Sequence, residues 1–443
     1  MAGMPRDVEN LLAALEEHGY TAYIVGGCVR DMLRGEEPED WDAATSARPE
    51  QVLELFGGYA IPTGLKHGTV TVRVNDMAIE TTTYRTDGEY GDHRHPENVS
   101  FADNIEDDLS RRDFTINAMA MDRRGKLVDL FGGYKDLGKK IIRCVGDGDK
   151  RFDEDALRIM RALRFASKLG YAIDADTERS MRDKKELLHM IAWERIRTEL
   201  TKLLCGADAA RVLLDYPDIL GVAVPEILPS VGLDQKNPHH CYDVWEHTAR
   251  SVAEVPPDEV LRLTMLLHDL GKPGCFSTDD LGVGHFYGHQ EASLAIARNV
   301  LNRLKYDNET KERVELLVRW HDRQIPLSEK SVRKCLSQIG EKNLRDLLLV
   351  KRADNLAQNP DFIGAQKELD ALSEMIDSVI ARDECFSLSQ LAVNGDDVAA
   401  LGFNGREIGL ELKRLLDDVM EERAANDKAE LLWRAERHRK YGD

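Results

Sequence analysis

The chain has 443 residues, of which 32% are charged and 6% aromatic, and its net charge is −20. That length exceeds one ordinary domain and allows more than one buried core. No apolar run reaches the roughly 18 residues of a membrane span, the N-terminus MAGMPRDVEN has no signal-peptide core, and the seven scattered cysteines form no C-x-x-C. The expectation is a helix-rich cytoplasmic chain with no membrane, disulfide framework or zinc ribbon.

Residues 6–20 should form an amphipathic helix, because Val8, Leu11, Leu12 and Leu15 fall on one face. Tyr23-Ile24-Val25 reads as a short apolar strand. At Gly26-Gly27 the absence of Cβ atoms lets backbone N–H groups approach a phosphate, and Val29 to Leu33 reads as a helix whose N-terminus points at it. Asp40 and Asp42 are two apart, so on a strand both carboxylates face one side. Side by side they repel; a divalent metal removes that penalty and can hold a triphosphate. The alternative for such a pair is a solvated edge. Thr69–Val74 and Met77–Tyr84 read as strands joined by a turn at Asn75-Asp76. Glu80, on the second, is either a third carboxylate facing the Asp40/Asp42 metals or a strand-edge glutamate. Arg85 to Asp108 is polar, without periodicity, and reads as a loop. Arg111-Arg112-Asp113 then sets two cations beside a carboxylate, and Gly125–Asp129 gives another strand before a turn at Phe131-Gly132-Gly133. The acidic total argues against an RNA partner, but Arg111 to Gly170 holds fifteen Lys/Arg and nine Asp/Glu. A positive strip on an acidic body can still track a phosphate backbone.

From Lys150 onward the pattern is helical. Phe152–Phe165 reads as one helix, with Asp155, Arg158 and Arg161 on one face and Arg164 near its edge. Seven of the thirteen histidines lie between His239 and His321. His268-Asp269 ends an apolar helix; His247 precedes it, and His289, His321 and Asp354 follow. Imidazoles and carboxylates from separate helices, converging on one bundle core, suit a divalent transition metal; the alternative is a set of buried structural histidines. Residues 361–443 are helical and charge-rich, with Leu410, Leu412, Leu415, Leu416, Val419 and Met420 as an apolar stripe.

Gly26 to Asp31, D-W-D-A-A-T from Asp40 to Thr45, and R-R-D-F-T-I-N from Arg111 to Asn117 together resemble the class II tRNA nucleotidyltransferases. These are the CCA-adding enzymes, close to bacterial poly(A) polymerases within the DNA polymerase beta superfamily. E-D-A-L-R at Glu154–Arg158 matches that family's nucleobase-reading motif, and L-L-H-D-L-G-K at Leu266–Lys272 resembles the HD phosphohydrolase signature. The resemblance implies an α/β polymerase-beta-like nucleotidyltransferase head (1–145), then a mostly α-helical neck (146–225), an HD domain (226–365) and a helical tRNA-binding tail (366–443). It implies template-independent addition of CCA to tRNA from CTP and ATP. Asp40 and Asp42, with Glu80, would be catalytic and hold Mg²⁺, which activates the RNA 3′-hydroxyl and supports the leaving pyrophosphate. Gly27 and Arg30 would fix the phosphates, Arg112 would counter charge or contact the ribose, and Asp155 and Arg158 would read the base. Arg161 and Arg164 would position that pair or contact phosphate.

Base reading has a physical basis. Cytosine and adenine both present an exocyclic amine beside a ring acceptor, which a carboxylate and a guanidinium can match; uracil and guanine present the reverse order. In the HD part the resemblance implies one metal on His247, His268, Asp269 and Asp354. His289, presented from the Gly284–His289 turn, and His321 would add a second. The metals expected there are Ni²⁺, Mn²⁺, Co²⁺ or Mg²⁺, and the substrates 2′,3′-cyclic phosphates or phosphomonoesters. Two departures from the family pattern stand out: Trp41 between the metal aspartates, and His95 in the Asp92–Pro96 segment, whose family counterpart helps to switch the pocket from C to A. Other readings are an A-adding or poly(A) polymerase variant, an HD phosphohydrolase with a non-catalytic head, and a non-catalytic RNA-binding module. The sequence leaves the oligomeric state open.

Overall fold

The computed structural model describes residues 3–87, 99–362, 364–382 and 384–441. The chain divides into two compact units, Met1–Leu228 with Arg303–Lys305, and Pro229–Asn302 with Tyr306–Asp443.

In the first unit, α1 (Arg6–Glu17) buries Val8, Leu11, Leu12 and Leu15. It stops short of residue 20 because Gly19 takes a left-handed φ of 86°. β1 (Ala22–Val25), α2 (Gly27–Arg34), β2 (Trp41–Thr45), α3 (Pro49–Phe56), β3 (Ala60–Gly64), β4 (Thr69–Val74) and β5 (Met77–Thr83) follow. Then come β6 (Arg85–Asp87), β7 (Val99–Phe101), α4 (Ile105–Ser110), β8 (Met119–Met121), β9 (Leu127–Asp129) and α5 (Gly133–Lys139). Seven strands form one mixed sheet in the order β3-β4-β5-β2-β1-β8-β9. β2 and β5 run parallel and the other neighbours antiparallel. The β4–β5 hairpin turns where expected, with Asn75 at a φ of 51°. Asp42 on β2 pairs in register with Glu80 on β5.

Arg85–Asp108 is not simply a loop. β6 and β7 pair antiparallel from Arg85↔Phe101 to Asp87↔Val99, and α4 starts at Ile105 with the Asn104 side chain accepting from the Asp107 N–H. Three-residue strands are too short to show a period of two, so the ribbon left no mark in the pattern. Tyr90, Asp92, His93, Arg94, His95 and Pro96 lie outside the described residues.

Four of the remaining helices are α8 (Ala175–Lys184), α9 (Trp193–Leu204), α10 (Ala209–Asp215) and α11 (Pro217–Ala223), preceded by α6 (Gly148–Glu154) and α7 (Leu157–Leu169). The expected single helix Phe152–Phe165 is therefore broken. Asp155 is extended (φ −141°, ψ 101°), and its Oδ1 accepts the Leu157 N–H at 3.0 Å. A short carboxylate satisfies a free N–H at a helix start better than it tolerates a helix interior.

The second unit contains α12 (Val244–Glu254), α13 (Glu259–Leu267), α14 (Lys272–Cys275), α15 (His289–Arg303), α16 (Asn308–Trp320) and α17 (Glu329–Leu356). α17 bends at Gly340, whose φ is 77°. Asp243, Asp258, Asp307 and Ser328 cap α12, α13, α16 and α17. α13 packs against α12, α16 and α17. α18 (Ala365–Ala381), α19 (Gly395–Ala400), α20 (Arg406–Met420) and α21 (Lys428–Tyr441) complete it. Leu415, Leu416 and Met420 join Leu431 and Ala435 in a local core, with Leu412 and Val419 against it. Leu410 is instead 67% exposed. Positions 412, 415, 416, 419 and 420 keep helical spacing, and 410 falls off it. Among the described residues no helix is long and apolar enough to cross a membrane.

Candidate functional site

β1 feeds directly into α2, so the N-terminal N–H groups of the helix face a cleft of about 860 Å³. Gly26 makes that junction possible. Its φ is 76°, and a Cβ there would lie 2.9 Å from Arg112 Nη1. Asp40 and Asp42 line the same cleft. Burial pushes the Asp42 carboxyl up to about 6; Arg112 opposes the shift, and Glu80 and Asp40 add to it. The like-charge crowding on Asp42 is of the kind a divalent cation relieves; Glu80 is exposed and is not among the residues lining the cleft.

The arginines are held by partners that sequence reading missed. Asp108, fully buried, accepts Arg111 at 2.6 Å and Arg112 at 3.1 Å. Burial works against its charge, but the two guanidiniums hold its pKa below the usual value. Arg30 lines the cleft with its guanidinium committed to Asp31 at 2.8 and 2.9 Å and to Asn117 at 2.9 Å. Its geometry is that of a braced cation rather than a free phosphate clamp.

Asp155, Arg158, Arg161 and Arg164 line the same cleft. Asp155 and Arg158 each have their own partner. Asp155 accepts Arg195 at 2.9 Å. Arg158 donates to Glu154 at 2.9 Å and to the carbonyls of Arg151 and Arg111. Arg161 pairs with Asp113 at 2.6 Å, and Arg164 reaches Glu199 at 2.5 Å while its guanidinium lies 4.0 Å from the Phe165 ring centroid. Burial opposes the Asp113 charge, yet Arg161 and Asn117 bring its pKa to about 2. Arg195 and Glu199 come from one face of α9, four residues apart. That spacing was the available signal for them; Asp108 gave none, lying in a stretch read as loop.

In the second unit, His247, His268, Asp269 and Asp354 place ligand atoms within 4.8 Å of one another, as do Asp269, His289 and His321. Every one of the four imidazoles has Nδ1 on a backbone carbonyl: His247 on Ala357, His268 on Met265, His289 on Phe286 and His321 on Val318, at 2.6 to 3.1 Å. A carbonyl only accepts, so each Nδ1 carries a proton and each neutral ring turns an Nε2 lone pair inward. Asp269 divides its oxygens. Oδ2 lies 3.4 Å from His247 and 3.3 Å from His268; Oδ1 lies 3.5 Å from His289 and 3.8 Å from His321. His247 Nε2 lies 2.9 Å from Asp354 Oδ1, His268 Nε2 is buried with no hydrogen-bond donor on it, and the Nε2 atoms of His289 and His321 face each other at 3.2 Å. Nε2 lone pairs turned toward one another and toward carboxylates call for a cation between them, so the two ligand groups fit divalent metals. With protons as the only cations, burial works against the His268 imidazolium, but Asp269 and Asp354 raise its pKa to about 10, while burial and His268 drive His321 down to about 3. Lys272 adds Nζ at 2.6 Å from Asp269 Oδ2 and 2.9 Å from Gln235, a contact not anticipated. His289 opens α15 rather than standing in a loop; the turn ends at Gly288, with a φ of 77°.

Residues 22–143 match the family model described as poly A polymerase head domain, 170–227 that of the polymerase A RNA- and SrmB-binding site, and 239–359 the HD domain. The CCA-adding enzyme of Oceanobacillus iheyensis is 51% identical over 219 residues, 49% of this chain and 54% of that protein. The match thus spans about half the length of this curated relative. The crystal structure of the Bacillus stearothermophilus CCA-adding enzyme in complex with CTP superposes with a TM-score of 0.75 at 30% identity, covering 99% of each chain. The Thermotoga maritima CCA-adding enzyme complexed with tRNA shares the fold, with a TM-score of 0.60 at 18% identity, covering 98% of this chain and 96% of that one.

Proposed function

This chain belongs to the family of CCA-adding enzymes, and on that premise we propose that it adds C, C and A to the 3′ end of tRNA from CTP and ATP, in the cytoplasm and without a nucleic-acid template. The observation that carries this is one cleft lined by Asp40 and Asp42 together with Asp155, Arg158, Arg161 and Arg164. Head, neck, HD and tail domains are taken at 1–145, 146–225, 226–365 and 366–443. Mg²⁺ held by Asp40 and Asp42, with Glu80 alongside, would supply the charge compensation needed for 3′-hydroxyl attack and pyrophosphate departure. Gly26, Gly27 and the start of α2 bind the triphosphate through backbone N–H groups, and Arg112, braced by Asp108, offsets its charge. Asp155 accepts from the amine of cytosine or adenine and Arg158 donates to the adjoining ring nitrogen. Arg195 and Glu154 orient the two groups, and Arg161 and Arg164 keep the helix between them in place. The test is incubation with tRNA lacking its 3′ end and each labelled nucleotide. Ordered uptake of C, C and A is expected; uptake of A alone, a long A tract or nothing overturns the proposal.

Base choice should depend on Asp155. In Asp155→Ala the wrong base no longer sets an acceptor against a half-buried carboxylate, a penalty of about 1–3 kcal/mol. Discrimination of CTP and ATP against UTP and GTP should therefore fall roughly 10- to 100-fold, read as ratios of kcat/KM. Unchanged ratios would assign base reading elsewhere.

Acid should weaken the head site in a defined window. Only the deprotonated Asp42 carboxylate binds a cation, and its pKa stands at about 6. The Mg²⁺ concentration for half-maximal incorporation should rise by about tenfold per pH unit below 6 and level off above it. A flat profile between pH 5 and about 7 would remove Asp42 from the metal set.

The second unit is proposed to hydrolyse phosphate esters, 2′,3′-cyclic phosphates or phosphomonoesters, with Ni²⁺, Mn²⁺, Co²⁺ or Mg²⁺ held by His247, His268, Asp269, His289, His321 and Asp354. The four Nδ1-anchored imidazoles support it. Lys272 lies beside Asp269 in the same cleft, where its ammonium can receive a phosphoryl oxygen.

A further inference from the structure

The cleft over the histidine cluster has a volume of about 300 Å³, and the segment along its mouth is built with unusual care. Gly284 and Gly288 bracket His285-Phe286-Tyr287. Gly284 permits no side chain, since a Cβ would lie 2.0 Å from the Gln235 carbonyl. Its N–H donates to the Lys236 carbonyl at 2.8 Å and its own carbonyl accepts Asn237 Nδ2 at 3.2 Å. Gly288 adopts a φ of 77°. Between these anchors the side chains alternate. Phe286 packs against Phe276, with Lys272 Nζ 5.3 Å from its ring centroid, while His285 and Tyr287 stack together, centroids 5.3 Å apart and planes 11° from parallel. Asp279 Oδ2 accepts from His285 Nε2 at 3.0 Å and fixes the plane of that ring. Tyr287 remains 78% exposed. Both rings line the cleft that also contains Asp269, His289, His321 and Asp354.

A large tyrosine left in water, held flat by a pinned imidazole beside a phosphate-handling centre, has the form of a stacking platform. A nucleobase offers a π-face to such a platform whatever its identity. We propose that the His285–Tyr287 stack is the ledge on which the base of a nucleotide ligand rests in this second site, so that the site prefers nucleoside phosphates to phosphate esters without an aromatic base. This rests on the reading of the cluster as a phosphoesterase. Lys272 and the metals would face the phosphate, and the ledge the base.

The test compares 2′,3′-cyclic AMP with the 2′,3′-cyclic phosphate of methyl riboside, which keeps sugar and phosphate but lacks the base. The full chain and its Tyr287→Ala and Tyr287→Phe variants are assayed with Mn²⁺ for hydrolysis and, separately, for equilibrium binding. Tyr287→Ala should raise the KM and dissociation constant for 2′,3′-cyclic AMP about tenfold, leave kcat and the base-less ligand unchanged, and Tyr287→Phe should behave as the original. Equal losses for both ligands, or none for either, overturn the ledge. If no hydrolysis is seen the phosphoesterase reading fails, and the binding arm still decides the ledge: a base-dependent loss in Tyr287→Ala supports it and unchanged binding overturns it.

Discussion

Asp42→Ala should reduce incorporation of both C and A to below about 1% while changing tRNA affinity by less than about twofold. The two readouts separate because the chemistry and the RNA contacts use different groups. The Asp42 carboxyl is raised to about 6 by burial and by the charges of Glu80 and Asp40, against the pull of Arg112. On the proposed function, its removal would delete a cation ligand at the point where charge develops on attacking and leaving oxygens. RNA affinity would come instead from Lys and Arg facing phosphates, as nucleic-acid binding generally does. Differential scanning should show an unchanged or higher Tm, since the substitution relieves like-charge crowding. Retention of more than a few per cent of incorporation, at any Mg²⁺ concentration, would place the metals elsewhere. An equal collapse of tRNA binding would make Asp42 a folding residue.

Asp269→Ala should abolish phosphate-ester hydrolysis and metal retention in the second unit, and leave CCA addition intact. Both oxygens of Asp269 are engaged, Oδ2 toward His247 and His268 and Oδ1 toward His289 and His321. One substitution would therefore take a ligand from both halves of the cluster. Metal content after dialysis should fall to near zero against about two equivalents in the original chain. Loss of hydrolysis with metal content unchanged would separate Asp269 from metal binding. Absence of both metal and hydrolysis in the original protein, with each of the four ions, would leave the histidines structural. Lys272 loses its 2.6 Å partner in this variant, so Asp269→Asn serves as the control that keeps the shape.

Much of the architecture was legible because it is written in short-range patterns. The Val8/Leu11/Leu12/Leu15 face, the Asn75-Asp76 turn and the apolar helix ending at His268 all appear where the spacing puts them. The motif residues of the head also gather in one cleft. The misreadings have local causes: three-residue strands carry no period, and one well-placed aspartate, Asp155, ends a helix that apolar spacing alone would continue.

What the sequence by itself determined is the inventory and order of chemical groups: the Gly-Gly turn before a helix, the D-W-D pair, the E-D-A-L-R segment and the His-Asp series. These are near neighbours in the chain, and periodicity tells which share a face. Only the tertiary structure decided which groups answer to one another. Glu80 meets Asp42 through the parallel β2–β5 register, Asp108 binds the two arginines, Arg195 takes Asp155 from a helix forty residues on, and four backbone carbonyls fix the tautomers of the four inward histidines. Pairings of this kind depend on strand register and helix packing, set by the burial of apolar faces over the whole chain. A charged residue's own surroundings in sequence contain no trace of the partner that packing will deliver to it.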